Sequence, residues 1–219
     1  MGTFWDRPEQ VAGFAARSPD KRLIVLVKSY VYPKQTRVLD LGCAAGRNTA
    51  MLAELGFDVY AVDRSPAMIE KTRERVSAFL GMNEAARRVA VGKMENLNNF
   101  DTGSFDLLVA LGVYQNAVNE EQWNMALDES ARVMAGRGQL LVANFSPRSN
   151  PTGGGLKLVS GERHVYEGFS SGRVFLLETE ELDAQMALRD LHPVVPTTAV
   201  EVATDTGCRV TVNAFYRKG

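Results

Sequence analysis

One short stretch holds residues suited to a ligand that carries both a sugar and a charge. In VLDLGCAAGRNTAMLAELGFDVYAVDRSP, residues 38–66, Asp40, Gly42, Ala44 and Gly46 stand at alternate positions, and Asp63 follows Gly42 by 21 residues. A carboxylate such as Asp63 can accept two hydrogen bonds from the 2′,3′-diol of a ribose. Small residues at 42–46 let backbone approach a ligand closely, and glycine takes φ > 0 without steric cost. N–H groups at the start of a following helix would favour a polar or anionic group of the ligand. These features fit dinucleotides and other ribose-bearing ligands alike, and spacing separates them. The dinucleotide fingerprint is G-x-G-x-x-G, which seats a pyrophosphate on a helix N-terminus. Here the pattern is Asp40-x-Gly42-x-Ala44-x-Gly46. An aspartate two places before the first glycine would repel a pyrophosphate and suits a ligand with a positive amino group.

These residues need a scaffold that brings the ends of strands together. RVLDLG (37–42) is a short apolar run ending at glycine, the pattern of a buried strand. NTAMLAEL (48–55) has helical spacing and stops at Gly56. DVYAVD (58–63) is a second strand. Ser65 and Pro66 then read as N-cap and first helical residue of a helix reaching about Leu80. Further strands are expected at RVAVG (88–92), FDLLVALG (105–112) and QLLVANFS (139–146), with a helix over 119–135 that ends at AGRG. The alternation of strands and helices implies a parallel sheet covered on both faces, with right-handed crossovers. PRSNPTGGG (147–155) is loop composition. Short strands are expected at HVYEG and RVFLL, and a helix capped by Thr179 and running to Leu188. AVEVAT (199–204) and RVTVNAFYR (209–217) alternate around a DTGC connection and form a hairpin. In such a sheet, ligands bind beyond the carboxyl ends of the strands.

DLGCAAGRN with YAVD downstream resembles the class I S-adenosylmethionine-dependent methyltransferases, strongly over residues 36–146. Ala44 stands where that family's pattern has its central glycine. The resemblance implies an α/β, Rossmann-like doubly wound fold: a mostly parallel seven-stranded sheet with a C-terminal antiparallel hairpin, in a single domain over 1–219. Residues 1–35 would be a helical cap and 147–178 a lid over the substrate. The cofactor would be S-adenosyl-L-methionine, leaving as S-adenosyl-L-homocysteine. Asp40, Gly42 and Ala44 would line its methionine part, with Cys43 giving backbone contacts and Gly46 completing the turn. Asp63 would hold the ribose and Arg64 would lie against the adenine. VGKMENL (91–97) matches the family's adenine turn, where Lys93 replaces a common aspartate; the Met94 backbone and the Glu95 side chain are the remaining partners. Leu111 and Gly112 would pass beneath the transferring methyl. Tyr166-Glu167-Gly168, together with GRN and LAELGFDVYAVD, is most similar to the tellurite-resistance type within the family.

The expected reaction is methyl transfer to a small-molecule nucleophile, an O, N, S or chalcogen atom, by in-line displacement. No catalytic residue is assigned. Tyr114, His164 and Tyr166 are candidates for the substrate pocket, and Phe4, Trp5 and Phe14 either pack an N-terminal helix or cover the site. The alternatives are an NAD(P)-dependent oxidoreductase and a noncatalytic S-adenosylmethionine-binding module. The former fits poorly with Asp40, the latter with a lid carrying aromatic and ionisable residues.

The 219 residues are 45% hydrophobic and 23% charged, with a net charge of −1, the profile of a soluble domain with no general affinity for nucleic acid. Strand four continues as ALGVYQN, without the Asn-Pro-Pro-aromatic stretch of DNA and glutamine methyltransferases, so nucleic acid is not an expected partner; the longest apolar runs, LIVLV (23–27) and LLVALGV (107–113), are too short to span a bilayer, so no membrane is expected either. Cys43 and Cys208 make no metal spacing and no disulfide framework. No apolar signal core opens the chain, and Asp6 breaks a myristoylation pattern after Met1-Gly2. The expectation is a cytoplasmic protein with no metal. Oligomeric state is left open.

Overall fold

The computed structural model describes residues 3–219. Met1 and Gly2, with which the expected cap and the myristoylation pattern begin, lie outside the described residues. Two short helices, α1 (Pro8–Ala15) and α2 (Lys21–Val27), precede the alternating core. That core runs β1 (Arg37–Leu41), α3 (Arg47–Glu54), β2 (Asp58–Asp63), α4 (Pro66–Leu80), α5 (Met82–Arg88), β3 (Val89–Val91), β4 (Phe105–Leu111), α6 (Glu120–Val133) and β5 (Met134–Phe145). An insertion forms β6 (Lys157–Leu158), β7 (Val165–Phe169) and β8 (Gly172–Phe175). The chain closes with α7 (Thr179–Ala187), β9 (Leu191–Pro193), β10 (Thr198–Thr204) and β11 (Gly207–Lys218).

The main sheet has the order β10-β11-β5-β4-β1-β2-β3, a seven-strand path, with β9 as an extra short strand on β11. Neighbours from β5 to β3 are parallel, while β11 is antiparallel to both β5 and β10. The chain moves outward from β1 to β3 and then returns to place β4 on the other side of β1. The order therefore reverses between β1 and β4, and the crevice opens at their carboxyl ends.

Alternation along each strand divides the interior in two. Val38, Val59, Leu107, Val109 and Leu141 face α2 and α3, meeting Leu23, Val27, Leu52 and Ala53. Leu39, Leu108, Leu140, Val142 and Val212 face α6 and α7, meeting Trp123, Leu127, Leu182 and Met186. The insertion is packed on this second face: Phe175 stacks on Trp123 at 4.7 Å and 17°. Its strands β7 and β8 coincide closely with the two short strands expected there.

Several boundaries differ from the sequence expectation. The expected loop AGRG is the first part of β5, where Arg137 takes φ 65° and the register against β4 shifts. A bulge absorbs the glycines without ending the strand. Glu178, not Thr179, caps α7, through a reciprocal pair with Glu181. The hairpin turn is Asp205-Thr206 alone, since Gly207 and Cys208 already pair with β10. Helix α5 and strand β9 are additions, too short and too polar to stand out as periodic runs. No helix among the described residues is long and apolar enough to cross a membrane.

The turn after β1 is wedged against α4. Gly46 has φ 76°, and a Cβ there would meet Thr72 Cγ2 at 2.7 Å and Thr72 Cα at 3.0 Å. Gly46→Ala is therefore expected to destabilise the protein by about 2 kcal/mol, combining overpacking with a left-handed alanine. Urea unfolding of the variant measures this; an unchanged midpoint would mean α4 gives way freely.

Candidate active site

A cavity of about 210 Å³ lies at the carboxyl ends of β1, β2 and β4. Gly42, Ala44, Asp63, Arg64, Met94, Glu95 and Leu111 line it, together with Lys93, Gly112 and Val113. Seven of the ten residues expected to bind the cofactor thus meet in one place. Asp40, Cys43 and Gly46 stand behind the wall and do not line it.

Asp63 joins the two halves of the motif. Its Oδ2 accepts from the Ala44 N–H at 2.9 Å and its Oδ1 from the Ser65 N–H at 2.9 Å. Burial pushes its pKa up, and the two N–H bonds work against that shift. Each oxygen keeps a second lone pair for a ligand hydroxyl. The turn is fixed further by Gly42 N and Cys43 N donating to Val62 O, by Gly46 N donating to Cys43 O, and by Thr72 Oγ1 donating to Ala44 O at 2.7 Å. The N–H groups of Gly42, Cys43, Ala44 and Gly46 are thus all engaged internally. Ala44 holds φ 47°, so it adopts the left-handed conformation of the glycine it replaces.

Asp40 is buried and accepts from Thr49 Oγ1 at 2.6 Å. Burial pushes its pKa up to about 6, partly offset by Thr49 and by the charge of Arg47. The Cys43 thiol is also pushed well up, first by burial and then by the charges of Asp63 and Asp40, so it is no nucleophile.

At the far side, Glu95 Oε1 accepts from Gln122 Nε2 at 3.0 Å, and Gln122 Oε1 in turn accepts from Val118 N. This pair orients Glu95 along the cavity wall beside Lys93. Gln122 was not legible as a site residue, because α6 carries it far along the chain.

The N-terminal segment closes the cavity from above. Trp5 and Phe14 line it and meet edge to face at 5.9 Å. Ser65 Oγ donates to Asp6 Oδ1 at 2.6 Å, and Arg75 bridges Ala15 O and Ala45 O. The aromatic residues near the start of the chain therefore both pack α1 and cover the site.

The substrate-pocket candidates stand elsewhere. Tyr114 is corrected to a core residue: the 3₁₀ turn Tyr114–Asn116 rotates its ring inward, fully buried, with its hydroxyl donating to Ser130 Oγ at 2.7 Å. Asn116, two residues on, lines the cavity instead. His164 and Tyr166 lie in the insertion, outside the cavity wall; His164 Nδ1 is 4.0 Å from Glu181 and its ring is tilted against Phe175. Among the described residues, no group of three or more His, Cys, Asp or Glu could hold a metal ion.

Residues 38–138 match a family described as a methyltransferase domain. A demethylmenaquinone methyltransferase of Tropheryma whipplei is 30% identical over 109 residues, covering 50% of this chain and 41% of that protein. The chain thus spans less than half the length of this relative. Among solved structures, the PH0226 protein of Pyrococcus horikoshii OT3 superposes with TM-score 0.67 at 20% identity, over 99% of this chain and 94% of that one. The 1,6-didemethyltoxoflavin-N1-methyltransferase of Burkholderia thailandensis, crystallised with 1,6-didemethyltoxoflavin and S-adenosylhomocysteine, superposes with TM-score 0.61 at 17% identity, over 90% of this chain and 77% of that one. At these identities the superpositions establish the fold.

The raised pKa of Asp40 predicts a pH effect. Between pH about 4 and about 6 the folded protein holds a proton that the unfolded chain has released, so Asp40 costs stability as pH rises through that window. Two pKa units amount to on the order of 3 kcal/mol. Asp40→Asn keeps the Thr49 bond and removes the titration. Its stability relative to the original protein should therefore grow between pH 4 and pH 6, as read by denaturant midpoints. A constant difference would mean that the buried charge is compensated.

Proposed function

We infer, for a chain whose residues 38–138 match a methyltransferase domain, that it transfers the methyl group of S-adenosylmethionine to a small-molecule nucleophile. The observation that carries this reading is Asp63: a half-buried carboxylate at the end of β2, locked by the Ala44 and Ser65 N–H groups and facing the cavity. The residues present fit the cofactor. Asp63 has two lone pairs free for the ribose hydroxyls, and Glu95 and the Met94 backbone stand at the adenine end. The turn presents no free N–H from Gly42, Cys43 or Ala44, which suits an ammonium group better than a pyrophosphate.

S-adenosylmethionine supplies a sulfonium whose methyl is intrinsically ready for displacement. The chain's contribution is then position and dryness. The floor at Leu111 and Gly112 sets the direction of approach, and Trp5 and Phe14 exclude water. The carboxylates of the cavity wall, Asp63 and Glu95, are engaged with N–H groups and with Gln122, so acceptors that need little help in losing a proton fit best. The toxoflavin and demethylmenaquinone enzymes act, by their names, on small molecules, which supports that acceptor class here.

Calorimetric titration with S-adenosylmethionine, S-adenosylhomocysteine and NAD tests the reading. Binding of the first two and not of NAD is expected; binding of NAD alone would overturn it. Asp63→Ala should raise the Kd for S-adenosylhomocysteine about tenfold or more, the loss expected for hydrogen bonds to a charged group. Turnover at saturating cofactor should change much less.

A further inference from the structure

The cavity wall is read above as a cofactor site, and an acceptor must approach the same place from beside it. Beside it, on the α2 and α3 face of the sheet, arginines gather at the ends of β4, β5 and β11. Arg17 follows α1, and its guanidinium lies 4.1 Å over the ring of Phe14, a cavity residue. Arg209, on β11, lies 5.8 Å over the ring of Phe145 at the end of β5. Pairing of Thr211 with Phe145 and of Ala143 with Leu111 puts Arg209, Phe145 and Leu111 on one face of the sheet. Arg47, at the start of α3, donates to Ser18 O at 2.9 Å and so stands by the same loop as Arg17.

The charges there are unbalanced. Among the described residues neither Arg17 nor Arg209 has a carboxylate within ion-pair distance. Asp20 serves Arg22 at 2.6 Å and approaches Arg47 only to 3.9 Å. Arg17 is held below the usual arginine range, first by partial burial and then by the charges of Arg47 and Arg209. Like charges gathered this way repel one another unless an anion joins them. The surroundings are apolar: Phe145 stacks on Phe169 of the insertion at 5.0 Å and 9°. Both chain segments that flank the strand ends, the N-terminal cap and β7, therefore bring an aromatic ring to this spot.

We propose that the methyl acceptor is an organic anion, with its carboxylate anchored by Arg17 and Arg209 and its apolar body lying along Phe145 toward Leu111 and Gly112. This rests on the methyl-transfer reading and names the substrate class of that same site. Arginine's planar fork suits a carboxylate, and a site built on the charge discriminates against the neutral analogue.

The test uses the full chain saturated with S-adenosylhomocysteine, titrated with aromatic acids and their neutral amides: 4-hydroxybenzoate against 4-hydroxybenzamide, and 3,4-dihydroxybenzoate against its amide. At least one acid should bind about tenfold or more tightly than its amide, and added salt should weaken it. Arg209→Gln and Arg17→Gln should each remove that preference, while Arg209→Lys restores part of it. The affinity for S-adenosylhomocysteine should stay unchanged in Arg209→Gln, whose side chain is exposed and outside the cavity wall. Cofactor binding with no preference for any acid, or a preference indifferent to both arginines, overturns the acceptor class and leaves methyl transfer standing. Failure of S-adenosylhomocysteine to bind overturns both.

Discussion

Asp63 is the point on which the site turns. A carboxylate at the end of a strand would ordinarily reach into water. Here both oxygens are already engaged, one with the turn after β1 and one with the first turn of α4. The bond to Ala44 fixes the backbone of the turn at the cavity wall, and the bond to Ser65 fixes the cap of α4. Ser65 then reaches Asp6 and brings in the N-terminal segment. Three separate stretches of sequence are thus tied together through the side chains of Asp63 and Ser65. Burial raises the pKa of Asp63, and the two N–H groups that it accepts from hold the charge in place against that shift.

Much of this was legible in the sequence for definite physical reasons. Strands at 37–41, 58–63 and 105–111 are buried on both faces, so they appear as uninterrupted apolar runs, and the glycines and Asp63 sit where those runs end. The cap at Ser65-Pro66 is local chemistry and follows from two residues. What was not legible depends on distance along the chain. Gln122 reaches Glu95 from a different helix, and Asn116 reaches the cavity from the turn after β4. Tyr114 shows the opposite error: position after β4 suggested the pocket, but the phenol finds its partner in Ser130 and turns inward. The AGRG stretch misled because glycine marks both a turn and a bulge, and only the partner strand decides between them.

The cavity is built by scaffold and edges together. The parallel strands supply a rigid floor and the carboxylate. The segment before β1 brings Phe14 and Arg17 to its edge, the insertion after β5 brings Phe169, and β11 brings Arg209.

The pairing of β5 with β11 has a consequence for how the chain is made. These are the longest strands, twelve residues each, and their register joins Gln139–Phe145 to Thr211–Arg217. On a ribosome, the parallel half of the sheet emerges first, and β5 then presents an unpaired edge of Leu140, Leu141, Val142 and Ala143 while the next sixty or so residues are synthesised, several seconds at ordinary elongation rates. An apolar strand with a free edge invites pairing with other chains. The inserted sheet and α7, made during that interval, bury the face of β5 but not its edge. The nascent chain is thus most prone to aggregation just before its last hairpin emerges, and a truncation that removes β11 would leave that exposure permanent.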